Sequence, residues 1–352
     1  MGALYLASVE ATGKTAICAG IGRKLLSQGR KVGFIKPVQL TETSSADGYK
    51  DATFIKEAFE LSESTEMLSP VRLSRRDLWR NLTDDVEGFT QKIKQAYARI
   101  SRGKDVVLME GFSDLGVDKV ATLACYTVAE ALDAKVVVVL RYSSDLSPSR
   151  IAQVAEKLEQ RLLGVVINFA PESRIEMVRQ HMTTLFQEAG INVLGMLPEV
   201  RTLLGVSVRE LAEILDGEIL TCPEGTGEMV ENAMLGAMTP DSGIDYFNRK
   251  GNKAAVVRGD RGDMQLAALE TSTKCLIVAD NLKPLPTVIY QAEDKHVPIM
   301  VVKQNTFGVI AGIEEALAKV SFHNPQKLRK FENVLDDYFD FKTLYLGLGL
   351  EA

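Results

Sequence analysis

Short apolar runs alternate with amphipathic stretches along almost the whole chain. Leu4–Ala7, Val32–Val38, Val106–Glu110, Val136–Leu140, Gly164–Asn168 and Val193–Leu197 are rich in valine, isoleucine and leucine. Several are apolar at consecutive positions rather than alternating, the pattern of strands covered on both faces. Between strands the period changes: Ile151, Val154, Ala155, Leu158 and Leu162 recur at three- and four-residue steps and predict a helix. The alternation predicts an α/β fold, a mostly parallel sheet with helices on both faces.

A seam falls near Leu203–Asp216, where Val208–Leu215 reads as a short helix ended by Asp216-Gly217. Beyond it, Glu218–Thr221, Lys253–Arg258, Cys275–Ala279 and Ile299–Lys303 predict a second, smaller α/β set. The expected organisation is a first domain over 1–205, a linker helix over 206–216, a second domain over 217–325, and a C-terminal helix and tail over 326–352. The polar stretch Leu40–Gly48 reads as a mobile loop. Leu346-Gly-Leu-Gly-Leu reads equally as a frayed tail or a docking strand.

Composition narrows the function classes. At 352 residues and 46% hydrophobic, the chain has material for two domains with large cores. No apolar run approaches the ~18 residues of a membrane span, and the N-terminus lacks the basic and apolar segments of a secretory signal, so a cytoplasmic protein is expected. A net charge of −6 argues against a nucleic-acid footprint. The four cysteines, at 18, 125, 222 and 275, form no Cys-x-x-Cys pair, and His181, His296 and His323 are scattered. Redox motifs, zinc ribbons and histidine-based hydrolase sites therefore lose support.

The richest segment is Leu4-Tyr-Leu-Ala-Ser-Val-Glu-Ala-Thr-Gly-Lys-Thr, a strand, a loop and the start of a helix. It follows the P-loop pattern Gly-x-x-x-x-Gly-Lys-[Ser/Thr] with Ser8 in place of the first glycine. Backbone N–H groups of Glu10, Ala11, Thr12, Gly13, Lys14 and Thr15 are placed to curl around a phosphate, with the positive end of the helix behind them. Lys14 is expected on the β/γ-phosphates and the Thr15 hydroxyl on Mg²⁺. Glu110 ends an apolar strand and supplies a metal carboxylate. Asp51 reads as a second metal ligand or as a helix N-cap. Lys36, closing another strand, adds a second cation over the phosphates. The sheet is thus expected to be of the P-loop NTPase type.

Together these residues resemble the dethiobiotin synthetase family. Ser8 stands where that family carries a threonine, Lys36-Pro37-Val38 matches its Lys-Pro-Val, and Asp51 and Glu110-Gly111 stand at its metal-binding positions. The resemblance, which covers residues 1 to about 205, implies that Asn168 contacts the base, and Leu194-Gly-Met-Leu-Pro198 matches the Leu-Gly-x-x-Pro that follows. Val9 replaces an aspartate of the family, and Phe112-Ser-Asp-Leu replaces its glycine-rich run. Those segments hold the family's substrate, so the nucleotide site carries over better than the ligase activity.

In the second half, Val257-Arg-Gly-Asp-Arg-Gly-Asp-Met runs from a strand through a turn into a helix; Gly259 and Gly262 suit the turn, and Asp263 is placed to cap the helix Met264–Leu269. Gly259-Asp260-Arg261-Gly262-Asp263 resembles the signature of the DRTGG domain. The order of the two domains resembles the N-terminal region of long bacterial phosphotransacetylases, which implies a regulatory, dimerising role. The sequence ends before those enzymes' transferase domain and is expected not to transfer acetyl groups by itself. Two functions follow. One is a nucleotide-dependent regulator that binds ATP (or GTP) with Mg²⁺, forms a homodimer and acts on a metabolic enzyme partner. The alternative is an ATP-dependent amide-forming or carboxylating ligase working through an acyl phosphate, with Lys14 and Lys36 as its catalytic cations.

Overall fold

The structure, a computed structural model, describes residues 1–10, 12–41, 49–113, 115–238, 242–318 and 322–351. Ala11, and residues 42–48 of the loop expected to be mobile, lie outside the described residues. The chain divides into two compact units: residues 1–200 with 322–352, and residues 201–321.

The first unit is built on six parallel strands in the order Val32–Ile35, Val106–Glu110, Gly2–Ser8, Lys135–Arg141, Leu162–Ala170, Val193–Pro198. The apolar runs sit at the centre of this sheet: Val136–Leu140 is buried along its length between the first strand and Leu162–Ala170. Continuous burial explains why these strands do not alternate. From the first strand the chain steps outward to Val32–Ile35, returns through Val106–Glu110, then crosses to the other side. That reversal leaves a crevice at the carboxyl ends of the central strands, where open α/β sheets bind ligands.

The strand expected to continue to Val38 stops at Ile35. Pro37 lacks an N–H for the ladder, and the Lys36 N–H leaves the sheet to donate to the Leu68 carbonyl at 2.7 Å. Val38–Leu40 then pairs with Val71–Leu73 in a separate two-stranded sheet. The break releases Lys36 at the sheet's edge.

The last thirty residues belong to this unit. Helix Pro325–Tyr338 packs on helix Lys14–Ser27, the helix that follows the phosphate loop. A Cβ on Gly20 would lie 2.3 Å from a Leu335 methyl, so the glycine permits the close approach. Arg23–Glu332 and Lys24–Asp336 ion pairs flank the seam. The Leu346–Leu350 segment is neither a strand nor a frayed tail: helix Phe341–Gly347 buries Leu344 and Tyr345, and the Leu350 N–H closes on the Tyr345 carbonyl at 2.9 Å.

The second unit holds a five-stranded sheet ordered Glu218–Ile219, Ile299–Val301, Thr273–Ala279, Lys253–Arg258, Asn232–Leu235, parallel except for the first pair. Asn232–Leu235 is an edge strand too weakly apolar to show in the sequence. Helix Val208–Leu215, expected as a linker, is part of this core. A Ser207/Glu210 capping box starts it, and Val208, Leu211 and Leu215 pack with Val256, Ile277, Met300, Val309 and Ile313. The opposite face is closed by Met264, Ala268, Val288 and Ala292 against Val257, Val278 and Ile299. All four cysteines are free and buried, and burial pushes the thiols of Cys125 and Cys275 up to about 12.

Candidate functional site

The phosphate loop, Lys36, Glu110 and Asn168 come from the carboxyl ends of strands and Asp51 from the first turn of a helix, which is why residues far apart in sequence meet. Gly13, at φ +79°, sits in the left-handed region that glycine enters without strain and opens helix Lys14–Ser27. No side chain caps the helix, which leaves its first-turn N–H groups without a capping side-chain acceptor, and Gly13, Lys14 and Thr15 line the cleft. The Lys14 ammonium donates to the Ser8 hydroxyl at 2.9 Å and to the Ser113 hydroxyl at 2.8 Å, while Ser8 Oγ donates to the Glu10 carbonyl at 2.7 Å. Ser8 thus gives the lysine a hydroxyl where the P-loop pattern has a glycine. Gly111, after Glu110, has its own reason: a Cβ there would sit 2.3 Å from the Tyr5 ring.

Lys36 lies between the two carboxylates expected on the metal. Its ammonium pairs with Asp51 Oδ2 and lies 3.1 Å from Glu110 Oε1. Burial by itself would lower the Lys36 pKa, but the charges of Glu110 and Asp51 outweigh it and hold the ammonium above the ordinary lysine value. For Asp51, burial would raise the pKa; the hydrogen bond from His323 and the charge of Lys36 outweigh that and hold it below the usual carboxylate range. Asp51 is the second residue of helix Lys50–Ala58, within its first turn rather than at its N-cap, which is Tyr49.

Asn168 is buried, and its Nδ2 donates to the Thr12 carbonyl at 2.9 Å while its Oδ1 accepts from the Phe169 N–H. It braces the phosphate loop from behind. Glu10 pairs with Arg150 at 3.4 Å. Thr12, Gly13, Lys14, Thr15, Lys36, Asp51 and Glu110 line one cleft of about 380 Å³, with Gln39, Arg75, Phe112, Ser113 and Asp118 on its other walls.

Two buried atoms of this cleft are open to a ligand such as a phosphate with Mg²⁺. Glu110 Oε2 and Thr12 Oγ1 have no hydrogen-bond partner, and such atoms are costly unless something completes them. Among the described residues no three His, Cys, Asp or Glu side chains gather as a metal centre by themselves. A Mg²⁺ held here would be shared between one or two carboxylates, phosphate oxygens and water.

Two contributors escaped the sequence reading. Ser113 lies in the segment marked as a departure from the dethiobiotin synthetase pattern, yet it holds Lys14. His323, one of three histidines scattered in the sequence, places Nε2 2.8 Å from Asp51 Oδ1. No local spacing joins it to position 51.

In the second unit, Arg258 pairs with Asp260, and Arg261 with Asp263, each at 2.9 Å. Asp263 does not cap its helix, which runs Gly262–Leu269 with Arg261 at the N-cap. Gly259 is required by contact rather than by turn geometry: a Cβ would lie 2.1 Å from Leu282 Cβ.

The profile of the AAA domain family matches residues 3–206, and that of the DRTGG domain matches residues 210–316. Among curated proteins, the phosphate acetyltransferase of Nitrosomonas europaea is 21% identical over 96% of this chain and 50% of its own length. That of Nitratidesulfovibrio vulgaris is 23% identical over 97% of this chain and 51% of its own. The ATP-dependent dethiobiotin synthetase of Methanococcus vannielii is 24% identical over 53% of this chain and 87% of its own. The chain spans about half the length of the phosphate acetyltransferases it matches. Among the described residues no helix is long and apolar enough to cross a membrane.

Proposed function

The chain belongs to the AAA domain family, with a P-loop domain resembling dethiobiotin synthetase followed by a DRTGG domain, and from that premise we propose a nucleotide-dependent regulator. ATP with Mg²⁺ binds at the phosphate loop, and the DRTGG unit passes the bound state to a second copy of the chain or to a metabolic enzyme. The observation that carries the nucleotide half is the pairing of Lys14 and Lys36 around a cleft whose Glu110 Oε2 and Thr12 Oγ1 have no partner. The regulatory half rests on the relatives: the same two domains match within phosphate acetyltransferases, of which they make up about half.

Within this reading each group has one task. The first-turn N–H groups and Lys14 would hold phosphate oxygens, Thr15, Asp51 and Glu110 would hold Mg²⁺, and Lys36, which bridges the two carboxylates, would add a second cation beside the phosphates. Mg²⁺ supplies neutralisation of phosphate charge. Asn168 keeps the loop's shape, and a contact with the base is the role the dethiobiotin synthetase resemblance implies for it.

The test is thermal unfolding with ATP or GTP, with and without Mg²⁺. A nucleotide at ~100 times its dissociation constant stabilises by about 2.7 kcal/mol, a visible shift in Tm. Absence of any shift with either nucleotide contradicts the proposal. A second reading, an ATP-dependent ligase, is favoured by one observation: the cleft that holds Lys14 and Lys36 is also lined by Gln39, Arg75 and Asp118, polar groups to which a second ligand could bind. Its phosphoryl transfer would rest on positioning and on the charges of Lys14 and Lys36. ADP release that depends on an added carboxylate or amine substrate separates it from the regulator.

A further inference from the structure

We propose that His323 is a positioning residue for the metal carboxylate Asp51, so that the C-terminal segment is a working part of the nucleotide site. The inference rests on the nucleotide reading and assigns a regulator of metal affinity to that site.

His323 Nε2 lies 2.8 Å from Asp51 Oδ1 across 272 positions of sequence, and because a carboxylate only accepts, the imidazole N–H is the donor. Asp51 Oδ2 is taken by Lys36. The two oxygens therefore have separate partners: one is held by a cation that can move to the phosphates, the other by a ring that is fixed. The ring is packed against Phe54, centroid to centroid at 5.3 Å, and the neighbouring Phe322 is edge-on to Phe54 and Phe331. Phe54 lies on the same helix as Asp51, one turn on. The histidine thus touches the carboxylate and the helix that carries it.

The segment itself is anchored to the phosphate-loop helix. Arg23–Glu332 and Lys24–Asp336 tie the two helices, Leu335 and Phe331 fill the notch at Gly20, and the Tyr345 hydroxyl donates to Gln28 at 2.8 Å. Fixed on that helix, His323 holds Oδ1 and leaves Oδ2 to turn from Lys36 to Mg²⁺. Hydrogen-bonded partners of this kind orient ligands, and their loss costs roughly 10–100-fold in metal affinity.

The test uses the full chain, Mn²⁺ and ATP. Mn²⁺ binding in the presence of ATP is followed by electron paramagnetic resonance, and ATP affinity without metal by calorimetry, for the wild type, His323→Ala and His323→Gln. The expected result is about 10–100-fold weaker Mn²⁺ binding in His323→Ala, unchanged metal-free ATP affinity, and partial recovery in His323→Gln, whose amide still donates. Mn²⁺ affinity in His323→Ala within twofold of wild type overturns the proposal while leaving the nucleotide site standing. Equal loss of metal-free and metal-dependent binding overturns it in favour of a purely structural role. A wild-type chain that binds neither ATP nor Mn²⁺ overturns both this inference and the reading beneath it.

Discussion

Two strand–turn–helix segments in this chain have the same plan and opposite chemistry. In the first unit, Gly2–Ser8 runs into the phosphate loop and helix Lys14–Ser27; in the second, Lys253–Arg258 runs into the Gly259–Asp263 turn and helix Gly262–Leu269. Both turns are rich in glycine and charge. In the first, Lys14 is held by the Ser8 hydroxyl and by the Ser113 hydroxyl of another element, and the buried Thr12 Oγ1 has no partner. In the second, each arginine closes on the aspartate two residues on. In the first turn the lysine is matched by groups from other elements as well as its own; in the second each arginine is matched first by an aspartate of the turn itself, although the buried Gln265 Oε1 on the helix that follows has no partner. The difference teaches that such a motif is read by asking whether its charged groups find their nearest partners within the turn or on other elements; Arg261 also donates to the Met238 carbonyl, but its ion pair is with Asp263 of its own turn.

The largest expected effect comes from emptying the first constellation. Lys36→Met leaves Asp51 and the 3%-exposed Glu110 side chain facing each other without a cation, and breaking a buried pair this way costs about 3–5 kcal/mol. Chemical denaturation without nucleotide should show that loss, and Mg²⁺ with ATP should restore part of it by supplying the missing charge. A variant as stable as the wild type would mean that the lysine is not what holds the carboxylates together.

Next in size is Gly259→Ala. The added methyl meets Leu282 at a distance no packing tolerates, and overpacking costs about 1–3 kcal/mol. Unfolding of the second unit should shift while ATP affinity at the first is unchanged; a change in ATP affinity instead would break the separation drawn between the two turns.

A smaller effect depends on pH. Lys253 is fully buried, and its burial lowers its pKa to about 8. Between about pH 8 and the unfolded value near 10.4 the unfolded chain binds the extra proton, so stability rises with pH across that window. Below it the folded lysine is charged and its cost is constant. Lys253→Met should remove this slope, read from denaturation midpoints at pH 7.5 and 9.5; an unchanged slope would assign it to other groups. The smallest effect belongs to Arg258→Ala. Its pair with Asp260 is solvent-exposed, and exposed pairs contribute ~0–1 kcal/mol. A loss well beyond 1 kcal/mol in denaturation would mean that the second turn is under more load than its geometry implies.

What could be read from the sequence divides by range. The phosphate loop, Glu110 at the end of its strand and the strands of the first sheet are local patterns, and continuous burial made them conspicuous. Lys36 was visible, but not that Pro37 ends the ladder and turns the lysine between two carboxylates. Helix Val208–Leu215 showed its apolar stripe without showing which core would take it. The C-terminal helices docked by packing, through Gly20 and Leu335, which no periodicity announces. His323 and Ser113 were hardest to see, because their partners Asp51 and Lys14 lie 272 and 99 positions away. A lone histidine or serine carries no spacing to read.

The central claim is that nucleotide binds at the first turn and not the second. Isothermal titration calorimetry with ATP and Mg²⁺ on the wild type, Lys14→Ala and Arg261→Ala tests it most directly. Hydrogen bonds to charged groups contribute ~1.5–3 kcal/mol each, so Lys14→Ala should weaken ATP by about 100-fold, while Arg261→Ala leaves it unchanged. Binding that survives Lys14→Ala and disappears with Arg261→Ala would place the nucleotide on the second turn and contradict the account.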